Sequence, residues 1–169
     1  IALRQVLATY GHAIDDAIIR TGLKQAVWPG RTQHIATGRL PEHWPHQPIW
    51  LDGAHNAHGA AALAATLQSI HSGRWNIICG ALNTRDPAEF LAPLLDCASQ
   101  VRCLTIPGQE ASLDGQYLAK VARALGLDAG AAPDLATAFD GLDQDAPVII
   151  CGSLYLAGHV LLENETPPD

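Results

Sequence analysis

Apolar residues recur at three- and four-residue steps at the start of the chain. Leu3, Val6, Leu7, Tyr10, Ala13, Ile14, Ala17 and Ile18 share one helical face, and Gly22 supplies a stop, so the pattern predicts one helix over residues 1–23. Between Trp28 and Pro48 the period dissolves. Pro29, Gly30, Gly38, Pro41, Pro45 and Pro48 punctuate this stretch, which predicts turns with one or two short strands. From Pro48 onward, short apolar runs alternate with longer helical periods. Strands are predicted at 48–51, 75–79, 100–106 and 148–151, and helices at 57–70, 87–97, 112–126, 133–139 and 154–162. Asp86 reads as a cap ahead of Pro87, which a first helical turn tolerates. The polar tail from Glu163, with two prolines, is expected to be loose.

Strands alternating with helices of ten or more residues predict an α/β fold: a Rossmann-like, mostly parallel sheet with helices on both faces. The strands are nearly continuous apolar runs, as burial under two helical layers demands. Ile77-Ile78-Cys79-Gly80-Ala81-Leu82 and Ile149-Ile150-Cys151-Gly152-Ser153-Leu154 share a spelling. That echo predicts two parallel strands ending at the same sheet edge, where open α/β sheets bind ligands. The loops after Leu51, Cys79 and Cys151 are expected to converge there.

Composition narrows the function. The chain has 169 residues, enough for one domain with a sizeable core, and a net charge of −7 from ten Lys+Arg against seventeen Asp+Glu. That balance argues against nucleic acid or an anionic membrane as partner, because no basic face is available for phosphates. No apolar run approaches the ~18 residues of a membrane span, and no signal-peptide pattern opens the chain, so a cytoplasmic, monomeric protein is expected. Cys79, Cys97, Cys103 and Cys151 show no CxxC spacing and read as buried, reduced thiols. Methionine is absent even at position 1, and the chain opens inside a helical pattern, which reads as a piece of a longer protein.

Several motifs are missing. There is no G-x-x-x-x-G-K-[ST] phosphate loop, no G-x-G-x-x-G after a strand, and Ser153 does not lie in a nucleophile elbow. His43/His46 and His55/His58 are three-residue steps without a third ligand, so no metal site is expected. The most informative stretch is Asp52-Gly53-Ala54-His55-Asn56. A carboxylate at a strand tip can accept from both hydroxyls of a ribose. Gly53 permits a tight turn, His55 offers a donor, and Asn56 can cap the following helix. The alternative is an ordinary strand-to-helix turn with His55 solvated.

Four landmarks carry a resemblance. They are Trp28-Pro29-Gly30-Arg31, Leu51-Asp52-Gly53-Ala54-His55-Asn56, Gly80-Ala81-Leu82-Asn83-Thr84-Arg85-Asp86, and Cys151-Gly152-Ser153-Leu154-Tyr155-Leu156-Ala157-Gly158. In this order they resemble the C-terminal domain of the bifunctional dihydrofolate synthase/folylpolyglutamate synthases, of the Mur ligase superfamily. The resemblance covers nearly the whole chain but only the last third or so of such an enzyme. It implies an ATP-dependent ligase that joins L-glutamate to dihydropteroate or folates through an acyl phosphate. ATP would be shared with an N-terminal P-loop ATPase domain of the same chain, which would also hold most of the Mg2+ coordination. By the same resemblance, residues 1–24 end that domain or link to it, 25–163 form the C-terminal domain, and 164–169 trail. No residue of this piece is expected to be catalytic alone, and the piece by itself is expected to be inactive.

The resemblance also assigns roles. Arg31 would reach the terminal phosphates, Asp52 the ribose, and His55 the nucleotide nearby; a guanidinium fork suits phosphate oxygens. Two departures bear on this. Extra residues separate Arg31 from Asp52, which makes Arg39 a rival for the phosphate. The family commonly has Asp-Lys-Asp where this chain has Thr84-Arg85-Asp86. Arg85 either holds the carboxylates of glutamate or pairs with Asp86. Ser153 and Tyr155 either touch the amino-acid substrate or serve as N-cap and packing. The competing functions are a cell-wall Mur ligase and a non-catalytic nucleotide-binding module.

Overall fold

The two segments that echo each other lie side by side at the centre of one six-stranded sheet. The computed structural model describes residues 5–6, 9–11, 15–26 and 28–168. In chain order the strands are β1 (Gln33–His34), β2 (Ile49–Leu51), β3 (Trp75–Cys79), β4 (Ala98–Cys103), β5 (Ala129–Ala131) and β6 (Val148–Cys151). The helices are α1 (Asp16–Gln25), α2 (Arg39–His43), α3 (Ala57–Ile70), α4 (Pro87–Leu91), α5 (Gly115–Ala124), α6 (Leu135–Ala138) and α7 (Leu154–Glu163). Strand order is β1-β2-β6-β3-β4-β5, with β1 antiparallel to β2 and every other neighbour parallel. The expected α/β architecture is the one found. Ile77, Ile78 and Cys79 pair with Ile149, Ile150 and Cys151, so the echo is a register, position for position.

The central strands β3 and β6 each feed two cores because alternate side chains leave opposite faces. Ile77, Cys79, Ile149 and Cys151 pack on one face against Leu63 and Leu67 of α3, Phe90 and Leu91 of α4, and Leu118 of α5. Ile78, Val148 and Ile150 pack on the other against Leu135 of α6, Leu156 and Val160 of α7, and Leu40 of α2. The helices start where a short polar side chain caps them: Asp15, Asn56, Asp86, Asp114, Asp134 and Ser153 each accept a backbone N–H in the first turn. Among helices α1–α7, α2, entered through Gly38, is the one without a side-chain cap. It is also the helix that hydrophobic periodicity missed.

The structure departs from the pattern at four further places. The helix expected over 1–23 is not continuous: Gly11 takes φ +77° and Asp15 caps a new start, so α1 runs past Gly22 to Gln25. Residues 1–4, 7–8 and 12–14 of that expectation lie outside the described residues. The helix expected over 87–97 ends at Leu91 and tightens into a 3-10 turn over Ala92–Leu94 around Pro93. The edge strand β5 went unread because Ala-Gly-Ala offers neither branching nor bulk. Finally, Asn164 is no part of a loose tail. It is 1% exposed, takes the Leu40 N–H at 2.8 Å, and donates to the Thr37 carbonyl at 2.9 Å and the Thr166 hydroxyl at 2.7 Å.

Candidate functional site

The carboxyl ends of β2, β6 and β3 meet through backbone bonds as well as neighbouring loops. Asp52 N–H donates to the Ile150 carbonyl at 2.9 Å, Gly80 N–H to Cys151 at 3.3 Å, and Gly152 N–H to Ala54 at 2.9 Å. Gly152 has φ +107°, and a Cβ there would lie 2.5 Å from the Gly80 carbonyl oxygen, so only glycine fits. Gly53 is required for a different reason from the expected tight turn. Its φ is not in the left-handed region, and an added Cβ would overlap the side chain of Leu154. The three loops therefore converge as anticipated, locked together at glycines.

The convergence leaves two cavities. One, of about 160 Å³, lies against α3 and is lined by Arg31, Thr32, Asp52, Gly59 and Thr66. The other, of about 240 Å³, lies between the turn after β3 and the start of α7, lined by His55, Thr84, Arg85, Phe90, Ser153 and Tyr155. Of the residues singled out from sequence, Arg31 and Asp52 thus share one cavity, while His55, Arg85, Ser153 and Tyr155 share the other. The structure does not bring His55 to the Arg31 cavity; its Nδ1 lies 2.9 Å from the Gly53 carbonyl.

Asp52 differs from the open carboxylate anticipated. It is 7% exposed, and its oxygens already accept three hydrogen bonds. Oδ2 takes the Thr32 N–H at 2.7 Å and the Thr32 hydroxyl at 3.1 Å, and Oδ1 takes the Ala54 N–H at 2.7 Å. An ionised carboxylate has about four acceptor positions, so room remains for one more donor rather than a two-oxygen grip on a ribose. Thr32 is the residue that sequence reading missed. Nothing in its spelling signals a role, since a β-branched residue is a poor choice for the φ of +43° it adopts.

The cations separate cleanly. Arg31 is exposed and, among the described residues, has no carboxylate within ion-pair distance. Arg39 lies elsewhere: its N–H bonds to the Asn164 carbonyl at 3.3 Å, just past the end of α7, and its guanidinium is 3.7 Å from Glu165. Gly30, by contrast, packs on Ala157 and Leu154 near the start of α7. These contacts lie toward opposite ends of a ten-residue helix, about 10–15 Å apart along its axis, which removes Arg39 from the Asp52 edge. Arg85 makes no ion pair with Asp86 among the described residues; Asp86 instead caps α4 through the Ala88 N–H at 2.9 Å. Ser153 is the buried N-cap of α7, accepting from Tyr155 N–H at 3.1 Å, whereas the Tyr155 ring is exposed.

The cysteines take no part in this chemistry. All four are buried and unbridged. A hydrogen bond with Cys103, then burial, pushes the Cys79 thiol well up; burial, then the charge of Asp52, does the same to Cys151. Both stay protonated and are poor nucleophiles. Among the described residues, no group of three or more His, Cys, Asp or Glu is arranged to hold a metal ion, and no helix is long and apolar enough to cross a membrane.

Comparison with known proteins matches this geometry to a family. Residues 30–154 match the family described as Mur ligase, glutamate ligase domain. Folylpolyglutamate synthase of Lacticaseibacillus casei is 32% identical over 151 residues, covering 81% of this chain and 33% of that protein. The bifunctional folylpolyglutamate synthase/dihydrofolate synthase of Yersinia pestis, solved with AMPPNP and Mn, superposes with a TM-score of 0.74 at 28% identity, covering 94% of this chain and 36% of that one. Folylpolyglutamate synthase of Mycobacterium tuberculosis, solved with ADP and AMPPCP, gives a TM-score of 0.80 at 26% identity, covering 99% and 39%. The chain thus spans about a third of the length of these relatives. By its matched span, its sheet order and its glycine-locked edge, the chain belongs to the Mur ligase, glutamate ligase domain family.

Proposed function

We propose that this chain is the C-terminal domain of an ATP-dependent ligase that adds L-glutamate to dihydropteroate or a folate. The observation that carries the reading is the pairing of two cavities on one locked edge: an exposed arginine beside a buried carboxylate in one, a second exposed arginine facing a helix start in the other. The Lacticaseibacillus casei and Yersinia pestis relatives, with their named activities, support the same substrate class.

The reaction sets two demands. Charge must be held on a phosphoryl group as it passes to a substrate carboxylate, and a neutral amine must then reach the resulting acyl carbonyl. Arg31, exposed and with no carboxylate in ion-pair range among the described residues, meets the first by donating two parallel N–H bonds to phosphate oxygens. Asp52 offers its one remaining acceptor position to a ribose hydroxyl. The second demand falls on the larger cavity. Arg85 attracts a glutamate carboxylate, and the first turn of α7 adds the positive end of a helix dipole to the same space. His55 lines the larger cavity with Arg85, its Nδ1 2.9 Å from the Gly53 carbonyl, so any contact with the nucleotide comes from that side. Tyr155 offers its hydroxyl to the amino acid, while Ser153 holds the helix start in place.

The chain has no phosphate loop of its own, so the preceding part of the same polypeptide supplies it, with α1 as the end of that part or the link to it. Among the described residues neither cavity carries a cluster of three or more His, Cys, Asp or Glu, and on this reading Mg2+ is held mainly by that preceding part. The domain alone is then inactive. Incubating the intact protein with ATP, L-glutamate and either dihydropteroate or tetrahydrofolate should yield a new amide that depends on all three. ATP hydrolysis without amide formation on either pterin would sink the folate reading.

A further inference from the structure

Thr32 holds a backbone conformation that its residue type disfavours. At φ +43° it is the β-branched residue immediately after Arg31. Non-glycine residues stay in this region only where their surroundings over-determine them, and such places cluster at ligand clamps. The surroundings here are specific. The Thr32 N–H and hydroxyl both donate to Asp52 Oδ2, at 2.7 and 3.1 Å. On the other side of Arg31, Gly30 N–H donates to Gln33 Oε1 at 2.9 Å, and the Gly30 carbonyl accepts from Gly53 N–H at 2.6 Å. Asp52 is itself fixed by Ala54 N–H at 2.7 Å. Both peptide neighbours of Arg31 are therefore pinned to the Asp52-Gly53-Ala54 turn, while its own guanidinium meets no carboxylate among the described residues.

We infer that Thr32 is a positioning residue for the nucleotide: its hydroxyl, seated on Asp52, aims Arg31 at the phosphates. This rests on the reading of Arg31 as the phosphate-binding cation. It gives Asp52 a second task, as anchor of the arginine loop, and explains why a carboxylate meant for a ribose spends most of its acceptor capacity on its own chain.

The test uses the intact ligase with Thr32→Val, Thr32→Ser and Thr32→Gly, reading the equilibrium Kd of a non-hydrolysable ATP analogue together with kcat, both KM values and Tm. Valine keeps the β-branch and loses only the hydroxyl. It should raise the nucleotide Kd and the KM for ATP about tenfold, the loss expected for one hydrogen bond to a charged group, with the KM for glutamate unchanged. Serine should return both to within about threefold of the parent. Wild-type nucleotide affinity in the valine variant, or a lower Tm with every constant unchanged, overturns the proposal. If valine prevents folding, glycine decides: it accepts the φ, keeps the N–H, lacks the hydroxyl, and should show the same rise. Failure of the ligase reading looks different, as nucleotide binding without amide product, and the valine-serine contrast in Kd still reads out. An intact protein that binds no nucleotide defeats both.

Discussion

The two cavities share one sheet edge but are built in opposite ways. Around Asp52, the N–H groups of Thr32, Gly53 and Ala54 are committed, the carboxylate is buried, and a threonine is held in a strained conformation. Around Arg85, the turn from Asn83 to Asp86 is exposed, and its cation meets no carboxylate among the described residues. A preorganised site holds a ligand whose position must not vary, because the ordering cost is met during folding rather than at binding. An open turn suits a ligand that must arrive later and be enclosed. On the proposed function, the nucleotide side is rigid from the start, and the amino-acid side is completed by its substrate.

Substitutions can break this contrast. The largest effect is expected at Gly152, whose φ of +107° and contact with the Gly80 carbonyl serve both cavities. Gly152→Ala should cost about 3 kcal/mol or more and disable both sites together, seen as a lower denaturation midpoint. Next is Asp52→Ala. Sequence alone suggests a weaker ATP site on an unchanged fold. The structure corrects that, because three donors lose their acceptor, two of them backbone or side-chain groups of Thr32. A stability loss of about 2–3 kcal/mol should accompany the higher KM for ATP. Arg85→Ala should behave conversely, with stability within ~0.5 kcal/mol of the parent and a KM for glutamate raised at least tenfold. Equal stability losses at Asp52 and Arg85 would erase the distinction drawn between the two cavities.

What the sequence reveals follows the same division. The strands and helices that make the edge were legible because they are apolar runs or periodic segments bounded by caps or glycines; two matching hexapeptides placed the ends of β3 and β6 at the same edge, and the structure makes them neighbours in register. The convergence of Asp52, His55, Arg85 and Ser153 at one edge followed from that topology. Their sorting into two cavities did not: Asp52 and His55 follow the same strand yet line different cavities, which depends on how that one loop packs rather than on its spelling. Arg39 rivals Arg31 in the sequence, where only the preceding Trp28-Pro29-Gly30 favours Arg31, and the two lie toward opposite ends of α7. Thr32 was illegible for a stronger reason: its function arises against its own propensity, held by a partner twenty residues away.

The smallest effect sharpens the contrast between a carboxylate that serves a ligand and one that serves only a helix. Asp134 caps α6 by accepting the Thr137 N–H at 2.7 Å, and that bond holds its carboxyl below the usual carboxylate range. It is fully exposed, far in sequence from either cavity, and lines neither. A depressed folded pKa means that the carboxylate's contribution is complete above the unfolded pKa and is lost as pH falls through the folded one. The difference in stability between the parent and Asp134→Ala should thus be constant from neutrality down to about pH 5 and shrink below pH 4. Nucleotide and glutamate constants should not move at any of these pH values. Asp52→Ala at neutral pH should alter both stability and nucleotide affinity. If Asp134→Ala also weakened ATP binding, capping alone would account for the Asp52 phenotype, and the claim that Asp52 and Thr32 act on the nucleotide would lose its support.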